Sequence, residues 1–520
     1  KNLINNQLSR NQFTVNSQRI ARNTLMLYTR QILILFVSLY TIRIVLDELG
    51  VEDYGIYSVI GGVVTLLSFL SSTMSSATQR FFSYAIGEGS NENLNKTLSV
   101  NLIIYFAIAI IAVFFLETIG LWFIKNELVM PPGRTDAIIF TFHCSVFTFI
   151  ATIFSAPFMA IIIAHEDMHY YAYISLVEVV LKLGVIYFLI SLNWDKLQLY
   201  GLLLLVVSII TFLIYVFVCL NKYREVQFRK FYWDKKLFKE IVDFTGWTLV
   251  GQITTVARNQ GITILLNQLF NPITVAARAI ANNIASRINM FSANFNTGLY
   301  PPIIKAYASD DKESMYKLIY NGSKITFFLM WVFALPLFLE MDTILNLWLK
   351  NPPLEAVIFT RLALVESLIV SVSLPVATAA RAPGHMKTYE LVLGLLQLLL
   401  FGLVLVFLKM GYPAHSVYVI DIVVNIVMFF VRLIIVNRLT GLNIMLYLKS
   451  VAIPLSLVVV LSTMISLMIK LSMPNGLIYS IVLMILSILI SCISMYLIGL
   501  NKELKLKMKL IIAQKLNKHL

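Results

Sequence analysis

TLMLYTRQILILFVSLYTIRIVL, residues 24–46, reads as an apolar helix with an arginine, Arg30, set inside it. The chain then turns through DELGVEDYG (residues 47–55). It returns through a Gly-rich apolar segment that ends at ATQRF (residues 77–81), ahead of Gly87-Glu88-Gly89. About 20 apolar residues suffice to cross a bilayer, so both segments are long enough. A charge inside such a helix is costly and marks a functional site by default.

The rest of the chain repeats this pattern. Of 520 residues, 59% are hydrophobic and 13% are charged, and the mean hydropathy is +0.82. Soluble domains carry about 25% charged residues, so the composition is that of an all-α polytopic membrane protein. We count about fourteen apolar spans of helical length. They fall near 24–46, 54–77, 98–123, 137–164, 170–192, 198–220, 242–270, 273–300, 318–343, 354–380, 388–408, 414–437, 450–470 and 475–499. No stretch between them is long enough for a separate soluble domain. Cys144, Cys219 and Cys492 lie inside apolar segments without metal or CxxC spacing and read as packing residues, and no metal site is expected. The polar arm before the first span does not resemble a cleaved signal peptide.

The formal charge of +14 does not indicate nucleic-acid binding. Basic residues collect in alternate connections, as the positive-inside rule requires. With both termini cytoplasmic, the outer connections hold only Lys125, Arg134, Lys196, Lys350, Lys409 and Lys470. The inner ones hold the rest, including the charged run from Lys222 to Glu240 and six lysines of the tail. The expected division is a cytoplasmic arm (1–23), a lobe of six spans (24–220), a linker (221–240), a second lobe of six spans (241–437), two further spans (438–500) and a basic tail (501–520). A weak repeat supports two lobes: placing Thr24 on Thr248 sets Tyr28 on Gln252 and Gln31 on Thr255, each trio on one helix face. Tyr54-Gly55 then falls near Ala276-Ala277. An even number of spans per lobe makes the repeats parallel.

Ionisable residues inside the spans are the candidate site. Glu178 and Lys182 are four apart and are expected to pair on one helix face. Arg43, Asp421, Glu117 and Arg432 lie toward span ends, where snorkelling or partial solvation accounts for them. Arg30, Arg258, Arg287, Arg361 and Glu366 are deeper and must face a hydrated cavity or one another. Spans seven and eight are the most polar. Thr248, Gln252, Thr255 and Asn259 stripe the seventh, with Arg258 beside them. The eighth has two stripes: Arg278, Asn282, Asn289 and Asn296 on one face, and Asn283, Arg287 and Asn294 on the other. A helix polar on both sides cannot lie against lipid, so one stripe should face a cavity and one a neighbouring helix. Arginines in excess of carboxylates favour a polyanionic ligand, because guanidinium forms paired hydrogen bonds with phosphate oxygens. The amides and hydroxyls nearby suit a glycan. Pro157, Pro301, Pro302, Pro336, Pro375 and Pro454 fall inside spans, where neighbours can re-satisfy a bend.

LGVEDYG (49–55), ATQRF (77–81), Ser155-Ala156-Pro157-Phe158 and His165-Glu166-Asp167-Met168 together resemble the bacterial polysaccharide flippases (Wzx-type) of the multidrug/oligosaccharidyl-lipid/polysaccharide exporter superfamily. The resemblance covers essentially the whole chain. It implies two six-helix lobes in a V shape plus two C-terminal helices that add a groove for a lipid tail. It implies a flippase that moves a polyprenyl-pyrophosphate-linked oligosaccharide across the cell inner membrane by alternating access, for surface polysaccharide or O-antigen (lipopolysaccharide) synthesis. Partners would be that lipid-linked oligosaccharide, membrane lipids and polysaccharide polymerase or ligase machinery, with no nucleic acid. By span, Arg30, Arg258 and Arg287 match the cavity arginines of the family. The second span departs from the pattern, since only Arg80 at its inner end is available. Substrate-contact candidates are thus Arg30, Gln31, Gln252, Arg258, Asn259, Arg278, Asn282, Arg287 and Arg361. No cofactor is expected beyond H+ or Na+ coupling, for which Glu178, Glu366 and Asp421 are the candidates.

Two other functions compete. An ion-coupled multidrug exporter of the same superfamily would favour acidic cavity residues over arginines. An integral-membrane polysaccharide polymerase or ligase would need a catalytic acid, base or metal site, usually on a large outer loop. The outer connections are short, so no enzyme is expected.

Overall fold

The computed structural model describes residues 26–501 and Lys505, apart from scattered positions between 27 and 66 and residues 90, 128–132, 224–231, 271, 350–352 and 475. The N-terminal arm, Tyr28, Arg43, Tyr54-Gly55 and most of the basic tail lie outside the described residues. Described positions of the first span, among them Met26, Arg30, Gln31 and Tyr40, are helical.

Beyond them come α1 (Ser68–Glu88), α2 (Asn91–Phe115), α3 (Thr135–Ala164), α4 (Met168–Ser191), α5 (Lys196–Lys222), α6 (Lys235–Leu269) and α7 (Pro272–Ala308). Then follow α8 (Lys312–Trp348), α9 (Ala356–Arg381), α10 (Lys387–Lys409), α11 (Ser416–Thr440), α12 (Ile453–Ser472) and α13 (Leu477–Ser494). A π turn, Leu116–Gly120, carries α2 on into a short helix, Leu121–Glu127. Asp195 and Asp311 cap α5 and α8 by accepting from the amides of Gln198 and Ser314 at 3.0 and 3.1 Å. Gly89 and Gly441 end α1 and α11 in the left-handed conformation that favours glycine. Pro157, Pro301, Pro302, Pro336 and Pro375 sit inside helices as expected, whereas Pro454 stands at the start of α12.

Among the described residues ten helices are long and apolar enough to cross a membrane, which makes this a multi-pass membrane protein. Helices α1, α6 and α7 fall outside that set; the latter two are the segments whose polar stripes stood out in the sequence. Large apolar side chains such as Phe106, Phe114, Tyr187, Phe217, Leu395 and Met468 are more than half exposed. An outward-facing apolar surface of this kind is what lipid requires. Cys144 and Cys219 are buried as packing residues, while Cys492 is exposed.

The described residues form two compact units, residues 21–252 and 253–520. The division lies within α6, between Gln252 and Ile253. Lys235 to Glu240, charged enough to read as linker, are the first turns of that helix.

Within residues 21–252, Phe82, Leu94, Leu98, Phe158, Ile162 and Tyr215 share one core. The family-like motifs are fastened around it. Asp53 of LGVEDYG pairs with Arg134, which also pairs with Asp195, and Lys196 lies 3.5 Å from Glu48. Thr78 of ATQRF donates to Asn101 Oδ1 at 2.9 Å and lies 3.1 Å from the Tyr105 hydroxyl, with all three side chains fully buried. At the opposite end from Arg134, the α3–α4 turn carries Glu166 at φ +63°. His165 stacks on Tyr223 with ring centroids 4.4 Å apart. Asp167 accepts from the Tyr223 hydroxyl at 2.8 Å and pairs with Lys222 at 3.0 Å.

Burial pushes the Asp167 carboxyl up, but the bonds from Lys222 and Tyr223 outweigh it and hold the group below the usual carboxylate range. A carboxyl with a depressed folded pKa stabilises above its unfolded value, and the gain is lost as pH falls through the folded value. Asp167→Asn should therefore melt below the wild type in detergent at pH 6. The gap should close as pH drops below about 4, the unfolded aspartate value. A pH-independent gap would show that the ion pair is not its source.

Candidate functional site

Helices α6 and α7 bring Arg258 and Arg278 into one cluster. Arg278 is 6% exposed. Its guanidinium donates to Thr263 Oγ1 at 2.6 Å and to the Asn259 carbonyl at 3.2 Å, both on α6. It also bonds Tyr418 of α11. The Tyr418 hydroxyl donates in turn to Asn282 Oδ1 at 2.9 Å, so one stripe of α7 is knitted to α6 and α11. Asn296, further along that stripe, donates to Thr378 of α9 at 3.3 Å.

Two carboxylates complete the cluster. Glu366 of α9 and Asp421 of α11 lie within electrostatic reach of each other and of Arg258 and Arg278. Asn425 lies beside them: its side-chain amide donates to Glu366 Oε1 at 3.3 Å and to the Asp421 backbone carbonyl, one turn back on α11, at 2.8 Å. Asp421 is 3% exposed and its Oδ1 has no hydrogen-bond partner, so it is buried, not partly solvated as its place in the span implies. Arg258 donates to Asn259 Oδ1 at 3.0 Å, and the Nε atoms of Arg258 and Arg278 have no acceptor. Two guanidiniums, two carboxylates, three amides and a phenol thus form one side-chain cluster. Such a group can hold a cation at the carboxylates, or offer guanidinium edges to an anion.

The opposite stripe of α7 behaves differently. Arg287 and Asn283 are exposed, and Asn283 bonds only its own helix, at the Ala279 carbonyl. Of the two stripes, the one with Arg278 is bonded to neighbouring helices, although Asn282 stays exposed, while on the other Asn283 and Arg287 stand open and Asn294 is half-buried. Asn259 is also exposed, and Gln252 is half-buried.

In residues 21–252, Arg30 lies over the Tyr171 ring at 4.2 Å, and its buried Nε has no acceptor. Arg30, Tyr171 and Glu178 all lie within electrostatic reach of the Tyr215 hydroxyl. Glu178 pairs with Lys182 at 2.6 Å, as their spacing predicts. Gln31 is half-buried beside Arg30 in sequence.

Arg361 stands apart. It pairs with Asp342 of α8 at 2.6 Å, donates to the Phe338 carbonyl at 2.9 Å and keeps 31% of its side chain exposed. Arg432 lies 6.0 Å from the Tyr389 ring and within reach of Glu390, so it is engaged by protein. His143 binds Glu117 at 2.9 Å. Hydropathy did not single out Glu340, Asp342, Lys324 or Glu390. Arg80 is 6% exposed inside α1, with the rings of Phe81, Tyr84 and Phe244 at 4.5, 5.2 and 5.7 Å. The run of aromatics around Arg80 in the sequence was the available signal for a buried cation.

An apolar cleft of about 620 Å³ opens in residues 253–520 between α8, α9, α11 and α12. Phe327, Trp331, Phe338, Leu368, Phe429 and Val459 are among its walls.

No curated protein matches the chain. Solved structures do. MATE in the straight conformation aligns with TM-score 0.69 at 14% identity, covering 82% of this chain and 97% of that one. An outward-facing multidrug resistance MATE family transporter of the MOP superfamily aligns with TM-score 0.68 at 14% identity, over 82% and 96%. A MOP superfamily transporter from Pyrococcus furiosus, described as having a binding pocket of reverse polarity, aligns with TM-score 0.65 at 14% identity, over 82% and 96%. At that identity the likeness is one of fold. Residues 20–307, more than half of the chain, match the family described as polysaccharide biosynthesis protein. The chain therefore belongs to the polysaccharide biosynthesis protein family and has the fold of the MOP-superfamily transporters.

Proposed function

We propose that the protein is a flippase that carries a polyprenyl-pyrophosphate-linked oligosaccharide across the bacterial inner membrane by alternating access, for surface polysaccharide such as O-antigen. The observation that carries this is the pairing, within residues 253–520, of the Arg258–Arg278 cluster with a separate apolar cleft. A lipid-linked glycan needs both an anion site and an apolar seat. Guanidinium groups of Arg258 and Arg287 take phosphate oxygens in forked hydrogen bonds, and Arg30 of residues 21–252 offers the same chemistry in its own unit. Asn259, Arg278 and Asn282 meet or position the polar part; Gln31 and Gln252 of residues 21–252 are further candidates, and Arg361, held apart by Asp342, is a candidate outside the cluster. The tail occupies the cleft. Surface-polysaccharide polymerase or ligase machinery would receive the product.

The carboxylates favour ion coupling within this function. Glu366 and Asp421, with Asn425 bonded to the Glu366 carboxylate, offer a proton or Na+ site whose occupancy changes the charge beside Arg258 and Arg278. Glu178 is a weaker candidate because Lys182 already compensates it. The same carboxylates would serve a multidrug exporter, but two arginines beside them disfavour cationic cargo.

Translocation of a radiolabelled polyprenyl-pyrophosphate oligosaccharide in proteoliposomes tests the proposal, with and without Na+ and pH gradients. Arg30→Ala and Arg258→Ala should each slow it about ten- to hundredfold, the size of one lost hydrogen bond to a charged group. Unchanged rates in both variants would remove the phosphate role. Gradient-driven drug efflux by a wild type that flips no lipid would install the exporter instead.

A further inference from the structure

The last two helices are tied to α8 at three levels. At one end, Glu340 is 6% exposed and sits where α8 leaves helical geometry, at φ −113° and ψ 25°. Lys470 of α12 pairs with Glu340 at 2.9 Å and donates to the Leu339 carbonyl at 2.5 Å. Ser480 of α13 donates to the other carboxylate oxygen at 2.6 Å, and Thr343 of α8 to the same oxygen at 2.9 Å. Both carboxylate oxygens are therefore engaged in holding the break in place. In the middle, the Trp331 indole donates to Ser462 of α12 at 3.0 Å, and both side chains are buried. At the other end, the fully buried Lys324 donates to Asn501 at 2.8 Å. One turn along α8, the Phe328 ring presses on Gly499, where no Cβ would fit. Between these ties runs a row of buried serines, Ser462, Ser466, Ser487 and Ser491, whose small size lets the helices approach closely.

The middle tie lies on the wall of the apolar cleft. Trp331 lines it, with Phe327 stacked on the indole at 6.0 Å and 15°. Val459, Val460 and Thr463 of α12, flanking Ser462, line the facing wall. The distance between the two walls is thus set by the Trp331–Ser462 hydrogen bond and by the ion pair beyond it.

We infer that Trp331, Ser462, Glu340 and Lys470 are positioning residues that hold the C-terminal helix pair as a fixed wall of the apolar cleft, and so set its fit to a long isoprenoid tail. This rests on the proposed seating of the tail in that cleft. Polar ties of this kind are costly inside a membrane. A buried carboxylate, a buried ammonium and a desolvated indole N–H each need the partner that the C-terminal pair, or Asn501 just beyond it, supplies.

The test uses the full chain in detergent, with spin labels on Leu347→Cys and Ile478→Cys in a background where Cys144, Cys219 and Cys492 are replaced. It is paired with binding of a long-chain polyprenyl phosphate and of farnesyl phosphate. Trp331→Phe keeps an aromatic ring of smaller size and removes the donor; Ser462→Ala removes the acceptor. Each should weaken the long-chain probe about three- to tenfold, the size of one neutral hydrogen bond, and farnesyl phosphate far less. The double variant should lose no more than either single one, as a shared interaction requires. Glu340→Gln should broaden the spin-label distance distribution. A wild-type distribution in Glu340→Gln, or additive losses in the double variant, would overturn the inference. Broadened distances with no binding of long-chain polyprenyl phosphate by the wild type would overturn the tail's seating, and the positioning role with it, while leaving the fastening in place.

Discussion

Arg278→Ala is expected to destabilise residues 253–520 by roughly 3–5 kcal/mol, the cost of removing one partner from a buried charge cluster. The guanidinium joins three helices through Thr263, the Asn259 carbonyl and Tyr418, and it offsets the charge of Glu366 and Asp421. Without it, Tyr418 and Thr263 lose a donor and two carboxylates face each other with only Arg258 nearby. Arg278→Lys should recover part of the loss, because charge returns but the forked geometry does not. Thermal unfolding in nanodiscs distinguishes the cases. A wild-type midpoint for Arg278→Ala would mean that the carboxylates are not held by this arginine. Replacing Asp421 with Asn in the Arg278→Ala background should then raise the midpoint, since it removes the uncompensated charge.

Gly322→Val is expected to be the most damaging single change among the glycines of the helix interiors. A Cβ there would lie 2.6 Å from Leu299 Cδ1 and 3.2 Å from Pro375 Cγ. Leu299 can turn aside, but the proline ring is fixed within α9. Gly322→Ala should cost about 1–3 kcal/mol through overpacking, and the β-branched valine more, to the point of lost expression. Gly184→Ala is the control, since nothing lies within 4 Å of a Cβ at that position. It should be neutral or stabilising by up to about 1 kcal/mol. If Gly322→Ala and Gly184→Ala melt alike, the close approach of α7, α8 and α9 at Gly322 is wrong.

Much of the fold was legible in the sequence because its signals are local. Hydropathy runs mark the helices, and the residues that interrupt those runs mark α6 and α7. The Glu178–Lys182 pair follows from a spacing of one turn. The two stripes of α7 were also legible, but not which one packs. Tyr418 and Thr378 decide that by taking Asn282 and Asn296, from 136 and 82 residues away in the chain. The acidic pair Glu366–Asp421 was hidden for the same reason: neither residue has an acidic neighbour on its own helix, and only the packing of α9 against α11 brings them together. Arg361 looked deep by its place in a span, yet Asp342, on the next helix back in the chain, engages it near an exposed edge.

By itself the sequence determined that this chain lives in a membrane, is helical, divides its polar residues unequally among its spans, and shares motifs with polysaccharide flippases. The tertiary structure decided what those polar residues do. It made Asp53 of the first turn a partner of Arg134, 81 residues away, and turned Glu340 and Lys470 into a brace between α8 and the C-terminal pair. The physical reason is the bilayer itself. Lipid demands that each buried charge find a partner, and composition records that demand; which partner answers depends on helix contacts between residues that no local period connects.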